Sequence, residues 1–193
     1  HITLTNTTYQ ASVMFDLSTF RCTCPTPSNT LTYYQTSLVI NLTLGYCVCP
    51  QGIITNPSQQ TLTTYNPTLR LCKCPNKAPT NTVTQIRAYY DSTLFLCQCY
   101  APTTPLIVNQ QWALVWNSTS LVCECPHNSM YNSGAAKRYC TCTTVTSAPV
   151  GTVKPAFNTT SGNCQCPTGT TINYTSKVCV CSTGKNWNGT ACA

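Results

Sequence analysis

Carboxylates are nearly missing from this chain: Asp16, Asp91 and Glu124 are the only three among 193 residues. Histidines number two, His1 and His127. An acid–base enzyme needs titratable groups that converge on one site, and this inventory leaves almost no such constellation. A calcium loop of the EF-hand kind needs several carboxylates within about twelve residues, so it is excluded. Charged residues make up 7 % of the chain, against roughly 25 % in a typical soluble domain. The net charge of +7 comes from ten basic residues. Only Lys137 and Arg138 are adjacent, so the sequence shows no basic patch for nucleic acid. No apolar run reaches the roughly 18 residues of a transmembrane helix. A signal-peptide pattern is also missing, and a start at His1 fits a mature or trimmed secreted product.

What is abundant is cysteine and short polar side chains. There are 17 Cys, 36 Thr, 14 Ser and 16 Asn. Cysteine at this density makes a disulfide scaffold the default. N-glycosylation sequons start at Asn6, Asn41, Asn117, Asn158, Asn173 and Asn188. Six sequons beside 17 cysteines point to the secretory pathway, oxidised thiols and an extracellular, secreted or cell-surface location. Covalent glycans are expected, and no cofactor. Thr-rich stretches such as Thr141–Thr146 are candidates for O-glycans.

The cysteines form a repeat. Sixteen of the 17 lie in C-x-C pairs at 22/24, 47/49, 72/74, 97/99, 123/125, 140/142, 164/166 and 179/181, and Cys192 stands alone. The first cysteines recur 25, 25, 25, 26, 17, 24, 15 and 13 residues apart, which marks a tandem array. A second signal keeps step with the first. Upstream of each cysteine motif comes a large apolar residue followed by Asn or Asp: Asp16, Asn41, Asn66, Asp91, Asn117, Asn132, Asn158, Asn173 and Asn188. In seven of the nine the Asn or Asp lies six residues before the first cysteine.

These features read as a β-hairpin unit. Alternating β-rich runs precede the turn at Thr30–Tyr34, Thr61–Tyr65, Val83–Tyr90 and Trp112–Trp116. Short strands follow it at Leu69–Cys72, Leu94–Cys97 and Leu121–Cys123. Pro after the second cysteine ends pairing at 25, 50, 75, 126 and 167. The turn, not the glycan, is the shared requirement. Asn66 is blocked as a sequon by Pro67, Asn132 has Gly at the third place, and two copies carry Asp. Asn and Asp alike bond their own backbone two residues on. The expected fold is all-β, small and disulfide-rich: a tandem array of about nine β-hairpin repeats. The units run 1–24, 25–49, 50–74, 75–99, 100–125, 126–142, 143–166, 167–181 and 182–193.

A hairpin of this size cannot bury enough apolar surface to fold alone. The simplest cross-linking scheme joins the second cysteine of one motif to the first of the next. It gives Cys24–Cys47, Cys49–Cys72, Cys74–Cys97, Cys99–Cys123, Cys125–Cys140, Cys142–Cys164, Cys166–Cys179 and Cys181–Cys192. Other connectivities remain open on sequence alone. The scheme leaves Cys22 unpaired or intermolecular. The segment Ile2–Phe15 alternates weakly and is a candidate strand for a neighbour's open edge.

The stretch Cys47-Val-Cys-Pro-Gln-Gly52, and in part Cys164-Gln-Cys-Pro-Thr-Gly169, resembles the last half of an EGF-like module. In that family a C-x-C precedes a small hairpin closed by a final disulfide, and Cys166–Cys179 is most similar to it. The six-cysteine pattern and the acidic calcium-binding signature of the family are missing. The composition also resembles cysteine-rich repeat glycoproteins of protist and algal surfaces, including mastigoneme-type fibre proteins.

Competing readings fare poorly. Repeated C-x-C marks metallothioneins, but long β-rich loops intervene here and the sequons imply oxidation. A copper histidine brace at His1 would need a second histidine, and only His127 is on offer. His127 follows Cys125-Pro126 near Glu124, yet no G-x-S-x-G elbow accompanies it, so a surface histidine is the reading. Trp112, Trp116 and Trp187 could stack on sugars, but Trp116 and Trp187 occupy the apolar position before the turn, where packing explains them. The expectation is therefore a non-enzymatic, self-assembling structural protein. It would join copies of itself head-to-tail through terminal units and exposed strand edges into a filament or coat. The alternative is an EGF-like binding module of an adhesin or receptor ectodomain.

Overall fold

The structure, a computed structural model, describes residues 9–102, 105–108, 110–134 and 138–193. Among these residues regular structure is all short antiparallel strand, with no helix. Each of the first five motifs contributes a two-residue strand and then a hairpin. Motif 1 holds β1 (Gln10–Ala11), β2 (Met14–Asp16) and β3 (Arg21–Thr23). Motif 2 holds β4 (Gln35–Thr36), β5 (Val39–Asn41) and β6 (Tyr46–Val48), and motif 3 holds β7 (Gln60–Thr61), β8 (Thr64–Asn66) and β9 (Leu71–Lys73). Motif 4 holds β10 (Gln85–Ile86), β11 (Tyr89–Asp91) and β12 (Leu96–Gln98), and motif 5 holds β13 (Gln111–Trp112), β14 (Val115–Asn117) and β15 (Val122–Glu124). Later motifs keep the hairpin alone: β16 (Met130–Asn132) with β17 (Tyr139–Thr141), β18 (Ala156–Asn158) with β19 (Asn163–Gln165), and β20 (Thr170–Asn173) with β21 (Val178–Cys181).

Two details differ from the pattern read in the sequence. Thr30–Tyr34 is coil and turn, with its strands following as β4 and β5. The runs 61–65, 83–90 and 112–116 are each broken into two strands by a two-residue gap. The cause is burial: the second residue of each gap turns inward, and Leu38, Thr63, Ala88 and Leu114 are all buried. Thr63 satisfies its hydroxyl by donating to the Pro50 carbonyl at 2.9 Å. The strand after the turn also begins late, at Leu71, Leu96 and Val122. The turn takes one further residue with positive φ: Phe20, Gly45, Arg70, Phe95, Leu121, Gly162 and Lys177. That residue's N–H closes the loop on the Asn carbonyl four back, as in Gly45 to Asn41 (2.8 Å) and Lys177 to Asn173 (2.7 Å).

The break matters because its two sides serve different sheets. The two-residue strand pairs with the second hairpin strand of the next motif, not of its own. The three-stranded sheets are β1-β6-β5, β4-β9-β8, β7-β12-β11, β10-β15-β14 and β13-β17-β16. In register, Ala11 faces Cys47, Thr36 faces Cys72, Thr61 faces Cys97, Ile86 faces Cys123 and Trp112 faces Cys140. The second cysteine of each motif extends the ladder, as in Cys49 N–H to Tyr9 (2.8 Å) and Cys74 N–H to Tyr34 (2.9 Å). Each short segment also reaches one motif further, as Tyr33 accepts from Tyr90 (2.9 Å) and Ser58 accepts from Trp116 (2.7 Å).

The chain divides into two compact units. One comprises His1–Ala78, Arg87–Cys99 and Trp116–Val122, and the other Pro79–Ile86, Tyr100–Val115 and Cys123–Ala193. In the first, the core is built from disulfide sulfur and small apolar groups: Ala11, Leu38, Cys47, Cys49 and Cys72, with Val13, Ile40 and Tyr65 packed against them. Gly52 shows how closely the first unit is packed. Its N–H donates to Phe95 at 2.9 Å, and a Cβ there would stand 1.8 Å from the Leu94 carbonyl oxygen.

Candidate assembly edge and glycan-bearing turns

The disulfides run consecutively. Cys24–Cys47, Cys49–Cys72, Cys74–Cys97, Cys125–Cys140, Cys142–Cys164, Cys166–Cys179 and Cys181–Cys192 span Cα distances of 5.2–5.6 Å. Cys99 and Cys123 are also disulfide-bonded and complete the series. Such a ladder fits an oxidising, secretory or extracellular setting. Among the described residues no helix is long and apolar enough to cross a membrane. Cys22 is free and exposed.

The turn residues cap their own loops. Asp91 accepts from the N–H groups of Thr93 and Leu94 (2.8 and 3.1 Å), and Asn117 from Thr119 and Ser120 (2.8 and 3.0 Å). Asn158, Asn173 and Asn188 do the same with the residues two and three on. Asn41 and Asn66 each accept from the residue three on, at 3.0 and 2.9 Å, and Asn132 accepts from Gly134 at 3.2 Å. Every one of these bonds uses the side-chain Oδ1. A glycan is carried on Nδ2, so one residue can cap the loop and bear a sugar. Asn41, Asn117, Asn158, Asn173 and Asn188 have that geometry, while Asn6 lies outside the described residues. At Asn158 the Nδ2 also donates to Gln165 at 3.0 Å.

Asp16 carries the same cap with a charge. Its carboxylate accepts from the Ser18 hydroxyl (2.6 Å), the Ser18 N–H (2.8 Å) and the Thr19 hydroxyl (2.9 Å). Bonds to the Ser18 side chain and backbone, then to Thr19, stabilise the anion and lower its pKa to about 2.

A glutamine that keeps step with the cysteines went unread in the sequence. Gln10, Gln35, Gln60, Gln85 and Gln111 open the five two-residue strands. The Gln60 side-chain oxygen accepts from the N–H groups of Thr55 and Asn56, both at 2.9 Å. Gln35 caps Thr32 (3.0 Å), Gln85 caps Thr80 (3.0 Å) and Gln111 caps Ile107 (3.1 Å). The residues share the spacing of the cysteines, so the periodicity alone would have found them.

The first hairpin is different from those that follow. β2 and β3 form a two-stranded sheet with Phe15 opposite Cys22. All three residues of β3 are exposed. Beside them Met14 and Phe15 are half exposed, and Leu17 and Phe20 are about three-quarters exposed, at 76 % and 77 %. Phe15 and Phe20 meet edge to face at 6.4 Å. Of the proposed edge-seeking segment, Gln10–Ala11 is already engaged with β6, and Ile2–Thr8 lies outside the described residues.

In the second unit, Trp112 stacks against His127 (5.2 Å between ring centres) and Phe157 (5.0 Å). His127 is exposed and His1 lies outside the described residues. Trp116 and Trp187 are half-buried, and Trp187 forms bridges with Gly151 and Cys192. A cleft of about 390 Å³, lined by Val108, Gln110, Thr141, Pro155, Phe157 and Thr159 among others, carries no ionisable side chain. Among the described residues no three His, Cys, Asp or Glu side chains gather to hold a metal ion. Comparison of the chain with protein-family models, with curated proteins and with solved structures finds no match.

Proposed function

We propose that the chain is a secreted, glycosylated structural protein that assembles head-to-tail with copies of itself into an extracellular filament or surface coat. The observation that carries this reading is the unfilled strand position on β3, set beside exposed Phe15, Leu17 and Phe20. An open antiparallel edge next to apolar surface is a site for strand addition. Two features support it. Each inner hairpin is completed by a segment from an earlier motif, so the architecture grows along one line. The capped turns leave asparagine Nδ2 atoms for sugars that hydrate a surface poor in charge. The disulfide ladder would give such a fibre resistance to unfolding and proteolysis.

A second reading, an EGF-like binding module, is favoured by the Trp112, His127 and Phe157 rings beside the cleft that Phe157 lines. Electron microscopy of unreduced material separates the two. Ordered filaments with an axial repeat of one chain support assembly. Discrete monomers across a wide concentration range overturn it and direct attention to glycan and protein ligands for the ring cluster.

A further inference from the structure

The inner junctions show what covers a second hairpin strand. β6, β9, β12, β15 and β17 each carry a two-residue strand on the edge away from their own hairpin partner. The residue opposite the first cysteine always lies four positions before the apolar residue that precedes the turn. It is Ala11 for Phe15, Thr36 for Ile40, Thr61 for Tyr65, Ile86 for Tyr90 and Trp112 for Trp116. The rule survives where the strands shorten: Val153, four before Phe157, bridges Cys179 through N–H···O bonds of 3.1 and 2.8 Å.

Counting back from Trp187 in the last motif gives Thr183. The residues around it, Ser182 to Asn186, are all exposed, and Thr183 and Gly184 belong to no strand. β3 has the complementary gap. Among the described residues nothing pairs with its outer edge, and its first-cysteine position is the free Cys22. The type of residue also agrees, since Thr stands at this position in two of the inner junctions.

We propose that residues 182–184 of one copy add as an antiparallel strand to β3 of the next, with Thr183 facing Cys22. The inter-molecular contact then continues the register of the inner junctions. The inference rests on the head-to-tail reading above and names the surface that carries it. The ladder phase fixes the hydrogen bonding. At the inner junctions the first and second cysteines direct their backbone groups to the added strand, as Cys49 N–H does to Tyr9 at 2.8 Å. Alternation along the strand therefore makes the Thr183–Cys22 pair a hydrogen-bonded one, with Cα atoms about 5.5 Å apart. That separation falls within disulfide range.

The test is Thr183→Cys in the full chain, mildly oxidised and run without reductant. A series of covalent trimers and higher oligomers is expected, with mapped peptides joining position 22 to position 183. Cys22→Ser in the same background should abolish the series. The unaltered chain, with its single free thiol, should stop at dimer. As a second variant, Thr183→Pro removes the N–H that would pair with Cys22 and should raise the concentration needed for assembly at least about tenfold. Peptides joining 22 to 22 or 183 to 183, or filaments by microscopy without the 22–183 link, overturn this junction while leaving self-assembly standing. Absence of any assembly overturns both.

Discussion

Gln60 offers the sharpest test of how the repeat holds its shape. Its side chain is only 8 % exposed, and one oxygen takes two backbone N–H groups at 2.9 Å, from Thr55 and Asn56. A neutral hydrogen bond contributes about 1 kcal/mol net. Thr55 and Asn56 are exposed, so water can replace the lost acceptor, and the larger penalty for dry unpaired donors does not apply. Gln60→Ala should therefore cost about 2 kcal/mol locally. A tandem array need not unfold as one unit, so hydrogen exchange of the segment is the right assay rather than a global melt. The amides of Thr55 and Asn56 should exchange about 30-fold faster, the factor that 2 kcal/mol sets. Gln60→Glu keeps an acceptor oxygen in place and should stay close to the parent rate. The loop held by Gln85 serves as the internal control. Equal exchange in the Ala and Glu variants would refute the capping role and leave only packing of the side-chain stem.

Three other outcomes follow from the same geometry. Thr175→Ala should remove the glycan at Asn173 while leaving its Oδ1 cap on residues 175 and 176. Asn173→Ala should remove both and cost about 1 kcal/mol more, read by intact mass and thermal unfolding of the two variants. For Asp16, the folded pKa lies below its ordinary 3.8, at about 2. Its contribution to the first turn is thus complete above about pH 4 and lost as pH falls through about 2. NMR of the β2–β3 loop should show that transition, and Asp16→Asn, which keeps the cap without the charge, should abolish it. Gly52→Ala would drive a Cβ into the Leu94 carbonyl and should destabilise the chain by more than about 2 kcal/mol. Unchanged stability in denaturant would show that the 50–52 segment moves aside freely.

How much of this was legible beforehand depended on whether a feature repeats locally. The cysteine spacing and the Asn or Asp six residues upstream are visible in the chain because each hairpin turn is a local object, closed by residues within four positions of the cap. The forward pairing of β1 with β6 was not legible. Gln10 and Val48 face each other across 38 residues, and no local pattern records that distance. The misread runs have the same origin. Thr61–Tyr65 alternates like one strand, yet Thr63 is buried and the two halves go to different sheets. Alternation reports which face a side chain takes, not which partner its backbone finds. The glutamines were legible and were missed, since only cysteine and the turn residue were followed along the period.

The free thiol sets a limit on how copies of this chain can be joined. Sixteen cysteines are committed to the ladder and Cys22 alone is left, so disulfides between copies can make a pair and no more. A filament of these chains would then owe its length to backbone pairing and apolar contact at the ends. Contacts of that kind weaken on cooling and in denaturant, whereas the disulfides within each chain do not. Mild urea or low temperature should therefore release intact, still cross-linked monomers before any hairpin opens. If assemblies instead persist until reductant is added, covalent links between chains would have to exist, and the assignment of the Cys181–Cys192 bond would be the first to re-examine.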